Sequence, residues 1–218
     1  MIKYSFKFTS YLLFINFMYP ALAHTNTKND LIKQLYDIGV FKFGNFTLKS
    51  GKSSSFYIDM RKIISHPQIV LHLVECMKKV MDTCDYDCLC GVPYSGLVIA
   101  TAASITYQKP MILKRKEAKA YGTQKMVEGI YQAGNRCLVI EDVITTGQSI
   151  IETTTVLEQE GLYVKDIIIL IDREESGVEY VAQKGYQVHA LFTVSEIAQH
   201  LYNLGLICIS EFEQILNS

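Results

Sequence analysis

The amino-acid sequence predicts an α/β fold in which a central, mostly parallel sheet is flanked by helices. Beyond residue 67, short apolar runs alternate with longer segments of helical spacing, an order that places parallel strands between layers of helices. Before it, residues 41–59 alternate apolar with polar side chains, as a small antiparallel ribbon does. We therefore expect residues 24–218 to form one domain, with a small N-terminal hood over about 29–60 and a core over about 67–218.

The elements of this fold can be assigned in chain order. The first helix is expected to begin with Asn29 or Asp30 as its N-cap and to stop at Gly39. The ribbon pairs 41–51 with 56–59. The remaining elements are a helix at 67–82, a strand at 89–92, a helix at 96–107, strands at 111–113 and 138–140, a helix from 149, strands at 167–171 and 187–192, and C-terminal helices.

Composition and charge limit the classes of function. The chain has 218 residues, of which 49% are hydrophobic and 20% charged, and its formal net charge is -1. This length favours one domain that can bury a sizeable core. The near-neutral charge argues against a general nucleic-acid binder, whose domain is normally basic. Any anion site must therefore be a local cluster of donors and cations.

The first 23 residues differ from the rest, and we set them apart from the fold. They carry Lys3 and Lys7, an apolar run over 11–18 and a small-x-small pattern ending at Ala23, which together resemble an export signal. The run is too short for a confident transmembrane span, so no stable membrane association is expected. The other interpretation, which we favour, is an upstream extension of a cytoplasmic enzyme with Met18 as a later start. Export is the alternative.

The six cysteines do not establish the compartment. An exported protein could pair them, but Cys88, Cys90 and Cys137 fall in predicted core strands, where a free thiol packs as a small hydrophobe. Cys84 lies close to Cys88 and Cys90 in sequence, but no histidine adjoins them and their spacing is not that of a zinc knuckle. The sequence therefore predicts no metal at these cysteines.

One stretch, residues 137–149, has the composition of a phosphate-binding turn. Apolar residues lead into two adjacent carboxylates, then into a loop of hydroxyls and glycine, and then into a helix. The first amides of a helix lack intrahelical partners and bear partial positive charge, so they stabilise an anion. The carboxylates would repel that anion unless they bind something else, and the vicinal diol of a ribose suits them. A sugar phosphate would satisfy both halves.

Three further segments should meet this stretch, because ligands of parallel sheets bind beyond the carboxyl ends of the strands. They are residues 91–96, 114–125 and 172–174. The segment 114–125 has five basic residues and one acid. A charge run is often only a solvated loop, but its position beside a phosphate-binding turn favours a diphosphate site.

These segments carry a family resemblance. Residues 139–147 resemble the signature that binds 5-phosphoribosyl 1-diphosphate (PRPP) in type I phosphoribosyltransferases. Together with 47–51, 54–59, 91–94, 115–122 and 172–174, they are similar to the orotate phosphoribosyltransferases, including the transferase half of the uridine monophosphate (UMP) synthases of animals. The similarity covers about residues 29–217. It implies the type I phosphoribosyltransferase fold and transfer of a phosphoribosyl group from PRPP to orotate, which yields orotidine 5'-monophosphate and diphosphate in UMP biosynthesis.

The resemblance also implies roles for individual residues. PRPP would be bound by Lys49, Tyr94, Ser95, Arg115, Lys116, Lys119, Tyr121, Glu141, Asp142, Val143, Ile144, Thr145, Thr146, Gly147, Gln148 and Ser149. Orotate would be bound by Lys49, Tyr57, Ile58, Thr145 and Arg173. The planar fork of Arg173 suits a carboxylate. The catalytic residues would be Lys119, Asp142 and Glu141. Tyr57, Ile58 and Tyr94 could instead be packing residues, and Arg173 could pair with a neighbouring acid.

The mechanism implied by the family is nucleophilic attack of orotate N1 on C1 of the ribose as diphosphate leaves. Its developing charge would be stabilised by Mg2+, held mainly by substrate oxygens and water, and by Arg115, Lys116 and Lys119 of loop 115–125. In the family this loop closes over the partner's site in a homodimer. Three residues depart from the family pattern. Ser95 and Tyr121 stand where many members have lysine and histidine, and Ala120 stands where aspartate is common.

Two other functions stay open on the sequence. A purine-type phosphoribosyltransferase would share the PRPP signature but lack an arginine for a base carboxylate. A non-catalytic regulator would bind PRPP without releasing diphosphate, and Ala120 keeps this alternative open. The five histidines form no constellation, and the serines and cysteines match no nucleophile motif, so a hydrolase of that kind is not predicted.

Overall fold

The chain folds into a two-stranded ribbon followed by a six-stranded sheet with helices on both faces. The structure, a computed structural model, describes residues 27–47, 53–115, 117 and 126–216. The strands are β1 (Phe41–Thr47), β2 (Ser53–Ile58), β3 (Cys88–Gly91), β4 (Met111–Lys114), β5 (Val127–Glu128), β6 (Arg136–Ile144), β7 (Tyr163–Asp172) and β8 (Gln187–Thr193). The helices are α1 (Lys28–Asp37), a 3-10 helix (Met60–Ser65), α2 (Pro67–Met81), α3 (Ser95–Tyr107), α4 (Gln148–Gln159), α5 (Gly177–Gln183), α6 (Val194–Asn203) and α7 (Ile209–Leu216).

The central sheet is mostly parallel, which confirms the predicted fold class. Its strand order is β5-β4-β3-β6-β7-β8, and β5 alone in this sheet runs antiparallel to its neighbour. Strands β1 and β2 pair antiparallel in a separate ribbon, with Phe41 opposite Ile58. The ribbon packs on the rest through Phe41, Phe56 and Ile58, and the Ser55 hydroxyl donates to the Gln214 carbonyl of α7 at 3.0 Å.

Two apolar layers hold the sheet between its helices. Leu138 and Ile140 of β6 pack on one face in a cluster that includes residues of α1, α2, α3, α6 and α7. Val139 and Ile167 pack on the other face against residues of α4 and α5. Burial of each large aliphatic side chain contributes about 1.5–3 kcal/mol. Because adjacent strand residues face opposite layers, these central strands are nearly continuous apolar runs.

Three details of the predicted elements were wrong or incomplete. The N-cap of α1 is Thr27, and neither Asn29 nor Asp30 caps it. The Thr27 hydroxyl accepts from the Asp30 amide, while the Asp30 carboxylate accepts from the Thr27 amide, which is a capping box. Strand β6 continues beyond Ile140 to Ile144, because its last residues pair with the end of β7. The short elements β5 and α5 were not predicted.

The described ranges contain no helix that is both long and apolar enough to cross a membrane. Residues 1–23, for which an export signal or an upstream extension was expected, lie outside the described residues.

Candidate active site at the carboxyl edge of the sheet

The carboxyl ends of β3, β6 and β7 carry three loops that lie side by side. The Val92 amide donates to the Ile140 carbonyl at 2.9 Å, which ties the loop after β3 to β6. The Arg173 amide donates to the Ile144 carbonyl at 3.2 Å, which ties the loop after β7 to the loop after β6. The segments that the sequence singled out after these strands are therefore neighbours in space.

Glu141 and Asp142 lie inside the hydrogen-bonded part of β6, and their environments differ. Glu141 is 4% exposed, and its Oε2 accepts a hydrogen bond from Ser149 Oγ at 2.7 Å. Burial, with the adjacent charge of Asp142, raises the pKa of Glu141 well above its usual range. Asp142 is only half-buried. The raised pKa favours the neutral form of Glu141, which lessens the repulsion of an anion in the next loop.

The loop 145–147 and the start of α4 form the turn for which the sequence predicts anion binding. Gly147 is the N-cap of α4 and has φ +75°. Because glycine has no side chain, no capping side chain occupies the start of this helix. A Cβ at Gly147 would lie 2.6 Å from a methyl carbon of Val181, so this close packing on α5 also requires glycine. The Gln148 amide donates to Thr146 Oγ1 at 3.4 Å. Amides further into the first turn of α4 remain suited to an anion.

Tyr94 and Ser95 stand at the start of α3 and differ in accessibility. Tyr94 is 61% exposed, whereas Ser95 is 1% exposed and its hydroxyl makes no hydrogen bond to the described residues. The helix approaches β6 so closely that a Cβ at Gly96 would lie 2.6 Å from the Ile140 carbonyl oxygen. Tyr94 can therefore meet a ligand directly, while Ser95 lies beneath the surface of the site.

Arg173 is a buried cation at the end of β7. Its side chain is 4% exposed, and its Nε donates to Glu175 Oε1 at 2.7 Å. Its Nη2 donates to Ser54 Oγ at 3.2 Å, and the guanidinium lies 4.4 Å from the centroid of the Phe56 ring. The sequence left open a local ion pair of Arg173, and the structure shows this pair with Glu175. Only two of the five guanidinium N–H donors engage described residues. The remaining donors are suited to a planar anion.

The ribbon places Tyr57 and Ile58 on opposite faces of β2. Ile58 is 9% exposed and packs in the core with Val40 and Leu31. Tyr57 is half-exposed, and its ring centroid lies 5.7 Å from that of Phe46. Of the two, Tyr57 is placed to stack on a flat ligand, whereas Ile58 contributes to the packing that fixes the ribbon.

Arg115 leaves β4 toward β5. Its Nη1 lies 3.2 Å from Glu128 Oε1, and its Nε donates to the Glu117 carbonyl at 3.1 Å. The other predicted basic residues and their neighbour, namely Lys49, Lys116, Lys119 and Tyr121, lie outside the described residues. Among the described residues, the site therefore has two arginines. Arg173 is buried, and Arg115, at the rim of the site, is paired with the half-exposed Glu128.

Sequence reasoning did not assign Ser54 and Phe56 to the site. Both contact the Arg173 guanidinium from the ribbon. The period-two alternation of β2 places them on one face with Ile58 and opposite Tyr57, and this signal was available in the sequence. What the sequence lacked was any indication that this face meets Arg173 in the loop after β7.

The sequence matches the family model of the phosphoribosyl transferase domain over residues 60–185. The match contains all three loops described above. The chain belongs to the phosphoribosyl transferase family.

Within that family, the similarity is to orotate phosphoribosyltransferases and UMP synthases. The chain is 38% identical to the orotate phosphoribosyltransferase of Caenorhabditis elegans over 176 residues, which are 80% of this chain and 78% of that one. It is 41% identical to the uridine 5'-monophosphate synthase of Bos taurus over 190 residues, covering 86% of this chain and 38% of that one. The solved structure of Leishmania donovani UMP synthase has a TM-score of 0.82 at 31% identity, covering 88% of this chain and 42% of that chain. The chain thus spans less than half the length of these UMP synthases.

Proposed function

We propose that this chain transfers the phosphoribosyl group of PRPP to orotate, giving orotidine 5'-monophosphate and diphosphate in pyrimidine biosynthesis. The observation that carries the proposal is the position of Arg173. Its guanidinium is buried and has donors to spare, and its backbone amide donates to the carbonyl of Ile144, within the PRPP signature. A base that bears a carboxylate suits this position, and orotate is such a base. Adenine and hypoxanthine lack that group, which argues against a purine-type transferase.

The 5-phosphate of PRPP is assigned to the turn 145–147 and the start of α4. Thr145 and Thr146 supply hydroxyls beside the helix amides, whereas Ser149, whose hydroxyl donates to Glu141 Oε2, is assigned to the phosphate through its backbone amide. The ribose hydroxyls are assigned to Asp142 and Glu141. The neutral form of Glu141 can donate a hydrogen bond as well as accept one. Val143 and Ile144 act through the backbone of β6, and Gln148 opens the helix that faces the phosphate.

Orotate is assigned to the donors of Arg173 that the ribbon residues Ser54 and Phe56 leave open. In this proposal the orotate carboxylate takes the guanidinium donors that Glu175 and Ser54 do not use, in a bidentate pair. Tyr57, on the other face of β2, is assigned to stack on the pyrimidine on the family resemblance. Ile58 supports the ribbon from the core, and Thr145 is assigned to the edge of the base. Lys49 follows β1 and is assigned to both substrates on the family resemblance.

The diphosphate is assigned to Tyr94, Ser95 and the basic loop that begins at Arg115. Arg115, Lys116 and Lys119 stabilise the charge that develops on the leaving group, and closure of the loop with Tyr121 excludes water. The half-buried carboxylates of Asp142 and Asp172 at this edge are hard oxygen donors of the kind that Mg2+ accepts. They fit a Mg2+ held mainly by substrate oxygens and water. When bound, the ion would supply charge neutralisation at the diphosphate.

Three further parts of the proposal concern the whole protein. Residues 24–218 act as a single domain, with the ribbon as its hood. Two chains form a homodimer in which loop 115–125 of each serves the partner's site. The enzyme works in the cytoplasm, where PRPP is made, and export through residues 1–23 is the alternative. Gel filtration and a fusion that reports export would test the second and third parts.

The activity is tested by following orotate through its ultraviolet absorbance with purified protein, PRPP and Mg2+. We expect orotate to be consumed only when all three are present, with diphosphate released in equal amount. Adenine and hypoxanthine should neither replace orotate nor compete with it. Binding of PRPP without orotate loss or diphosphate release would refute the transferase and support a PRPP-binding regulator.

Lys119→Ala sharpens the test of the basic loop. Turnover should fall by about 100-fold or more, because removal of one preorganised charge donor typically costs that much. The melting temperature should stay close to that of the wild type. Lys125→Ala removes a lysine of the same loop without an assigned role and serves as the matched control. Unchanged turnover in Lys119→Ala would remove this residue from the mechanism.

A further inference from the structure

Three side chains with metal-binding atoms converge at the edge of the sheet opposite the candidate active site. Cys84 follows α2, Asp166 lies in the first half of β7, and His189 lies in β8. Their ligand atoms all lie within 4.8 Å of one another. Asp166 precedes the end of β7 by six residues, which is about 20 Å of strand. The cluster is therefore separate from the site at the carboxyl ends.

The fold, and no local motif, brings these side chains together. Side chains two residues apart in a strand lie on the same face, so Asp166 shares a face with Ile168, and His189 with Leu191. Ile168 and Leu191 pack in the core cluster that includes α2, so Asp166 and His189 lie on the face that α2 covers. His189 Nε2 lies 2.8 Å from Asp166 Oδ1. Cys84 Sγ reaches over them from the end of α2, where it donates to the Val80 carbonyl at 3.3 Å.

The burial of the cluster suits a bound ion. The Asp166 side chain is 7% exposed, so its carboxylate is fixed, whereas the His189 side chain is 29% exposed and leaves a path from solvent. Cys84 is half-buried and has no disulfide partner. A carboxylate, an imidazole and a thiol in one partly open pocket form a mixed oxygen, nitrogen and sulfur donor set.

This donor set selects among cations. Mg2+ and Ca2+ take oxygen ligands almost exclusively, whereas Zn2+ accepts thiolate, imidazole and carboxylate together. In a tetrahedral zinc site the ligand atoms lie about 3.3–3.6 Å apart. The pair at 2.8 Å would open slightly and the longer separations, up to 4.8 Å, would contract. Side-chain rotation at the half-buried Cys84 can supply that contraction.

We infer that Cys84, Asp166 and His189 bind one Zn2+, with water in the fourth position. On binding, the Cys84 thiol releases its proton to solvent and its sulfur bonds to the ion, while His189 coordinates through Nε2 and Asp166 through a carboxylate oxygen. The ion joins the end of α2 to β7 and β8. Because the folded chain binds it and the unfolded chain lacks the assembled site, zinc stabilises the fold.

The experiment measures zinc retained by the full-length protein after loading and dialysis against metal-free buffer. We expect one Zn2+ per chain in the wild type. In Cys84→Ser and His189→Asn, affinity should fall by more than the roughly 10- to 100-fold that loss of an outer-shell partner costs. Cys76→Ser and Cys208→Ser remove cysteines outside the cluster and should retain the ion. No retention by the wild type, or equal retention by Cys84→Ser, would overturn the inference.

Two measurements keep the test independent of how well the variants fold. Co2+ bound to the wild type should give the near-ultraviolet charge-transfer band of a cobalt–thiolate bond, and absence of that band would exclude Cys84 as a ligand. Zn2+ should raise the melting temperature of the wild type and of Cys76→Ser, but Mg2+ should not. An equal rise with Mg2+ would contradict a site built from thiolate and imidazole.

Discussion

Two arginines at opposite edges of the central sheet are paired in different ways. Arg136 begins β6 at the amino edge, where its Nε and Nη2 bond both oxygens of Asp87 at 3.0 and 2.7 Å and its Nη1 contacts Asp85. Arg173 follows β7 at the carboxyl edge, and among the described residues its one carboxylate contact is Glu175. Yet the Arg136 side chain is 39% exposed and that of Arg173 only 4%.

The more buried arginine is thus the less fully paired one. A buried cation with spare donors is unfavourable for folding unless something binds it. At the amino edge, the bidentate pair with Asp87 uses the planar fork of Arg136 and leaves few guanidinium donors for a ligand. The comparison indicates that the amino edge uses its ion pairs for structure, while the carboxyl edge holds a cation ready for an anion from outside.

The sharpest test of this comparison is Arg173→Lys set against Arg136→Lys. Lysine keeps the charge but loses the planar fork. We expect the KM for orotate to rise about 10- to 100-fold in Arg173→Lys, since a hydrogen bond to a charged group contributes about 1.5–3 kcal/mol. Arg136→Lys should lower the melting temperature and leave that KM unchanged. Orotate saturation curves give the KM, and thermal unfolding gives the melting temperature of both variants. A similar change of KM in both variants would contradict the different roles of Arg173 and Arg136.

The second test removes the competing charge at Arg173. Glu175→Gln keeps a hydrogen-bond acceptor for Arg173 Nε but removes the negative charge that the orotate carboxylate must displace or share. The KM for orotate should fall about 2- to 10-fold, the equivalent of roughly 0.5–1.5 kcal/mol. Glu179→Gln, in the first turn of α5, is the control and should leave KM unchanged. A rise in KM for Glu175→Gln would mean that Glu175 positions Arg173 and does not compete with the substrate.

The third test concerns the acid at the amino edge. Arg136 holds the pKa of Asp87 well below its usual range through hydrogen bonds and charge. A depressed carboxyl pKa stabilises the fold above the ordinary carboxyl range, and this contribution is lost as the pH falls toward the depressed pKa. Asp87→Asn should therefore show a shallower loss of stability in acid than the wild type. Asp37→Asn, in an exposed pair with Lys33, should behave like the wild type. Acid titrations followed by circular dichroism measure the difference.

The fourth test concerns Glu141, for which the expected dependence of stability on pH is opposite to that of Asp87. Its pKa is raised by burial, so the folded protein holds the proton more tightly than the unfolded chain does. The stabilising contribution is full below the ordinary carboxyl range and is lost as the pH rises toward the elevated pKa. Glu141→Gln mimics the protonated form and should flatten this decline. Denaturant unfolding of both proteins between about pH 5 and 8 measures it, and parallel pH profiles would show that Glu141 is ionised in the fold.

The parts of the molecule that the sequence predicted well depend on local pattern. The order of strands and helices follows from hydrophobic periodicity, and the turn at Gly147 follows from a strand, two acids and hydroxyls in a short run. Arg173 could be singled out because residues after a parallel strand lie at the binding edge. The site residues carried over from the family stay predictions, and several of them lie outside the described residues.

The parts that failed depend on contacts between distant segments. Glu141 and Asp142 suggested the end of a strand, because carboxylates are usually solvated, but β7 pairs beyond them and extends β6. Thr27, Asn29 and Asp30 are all good capping residues, and the choice among them depends on where α1 first packs. No histidine adjoins Cys84 in sequence, yet His189 lies beside it once β8 has paired with β7.

The continuation of β6 through its two acids also bears on ligand affinity. The ladder with β7 fixes the backbone of Glu141, Val143 and Ile144 before any substrate arrives. Fixing a backbone residue costs about 1–2 kcal/mol of conformational entropy, and here that ordering occurs during folding and not during binding. In the proposed function, a ribose bound here meets a backbone that is already ordered, so little of its binding energy is consumed in arranging it.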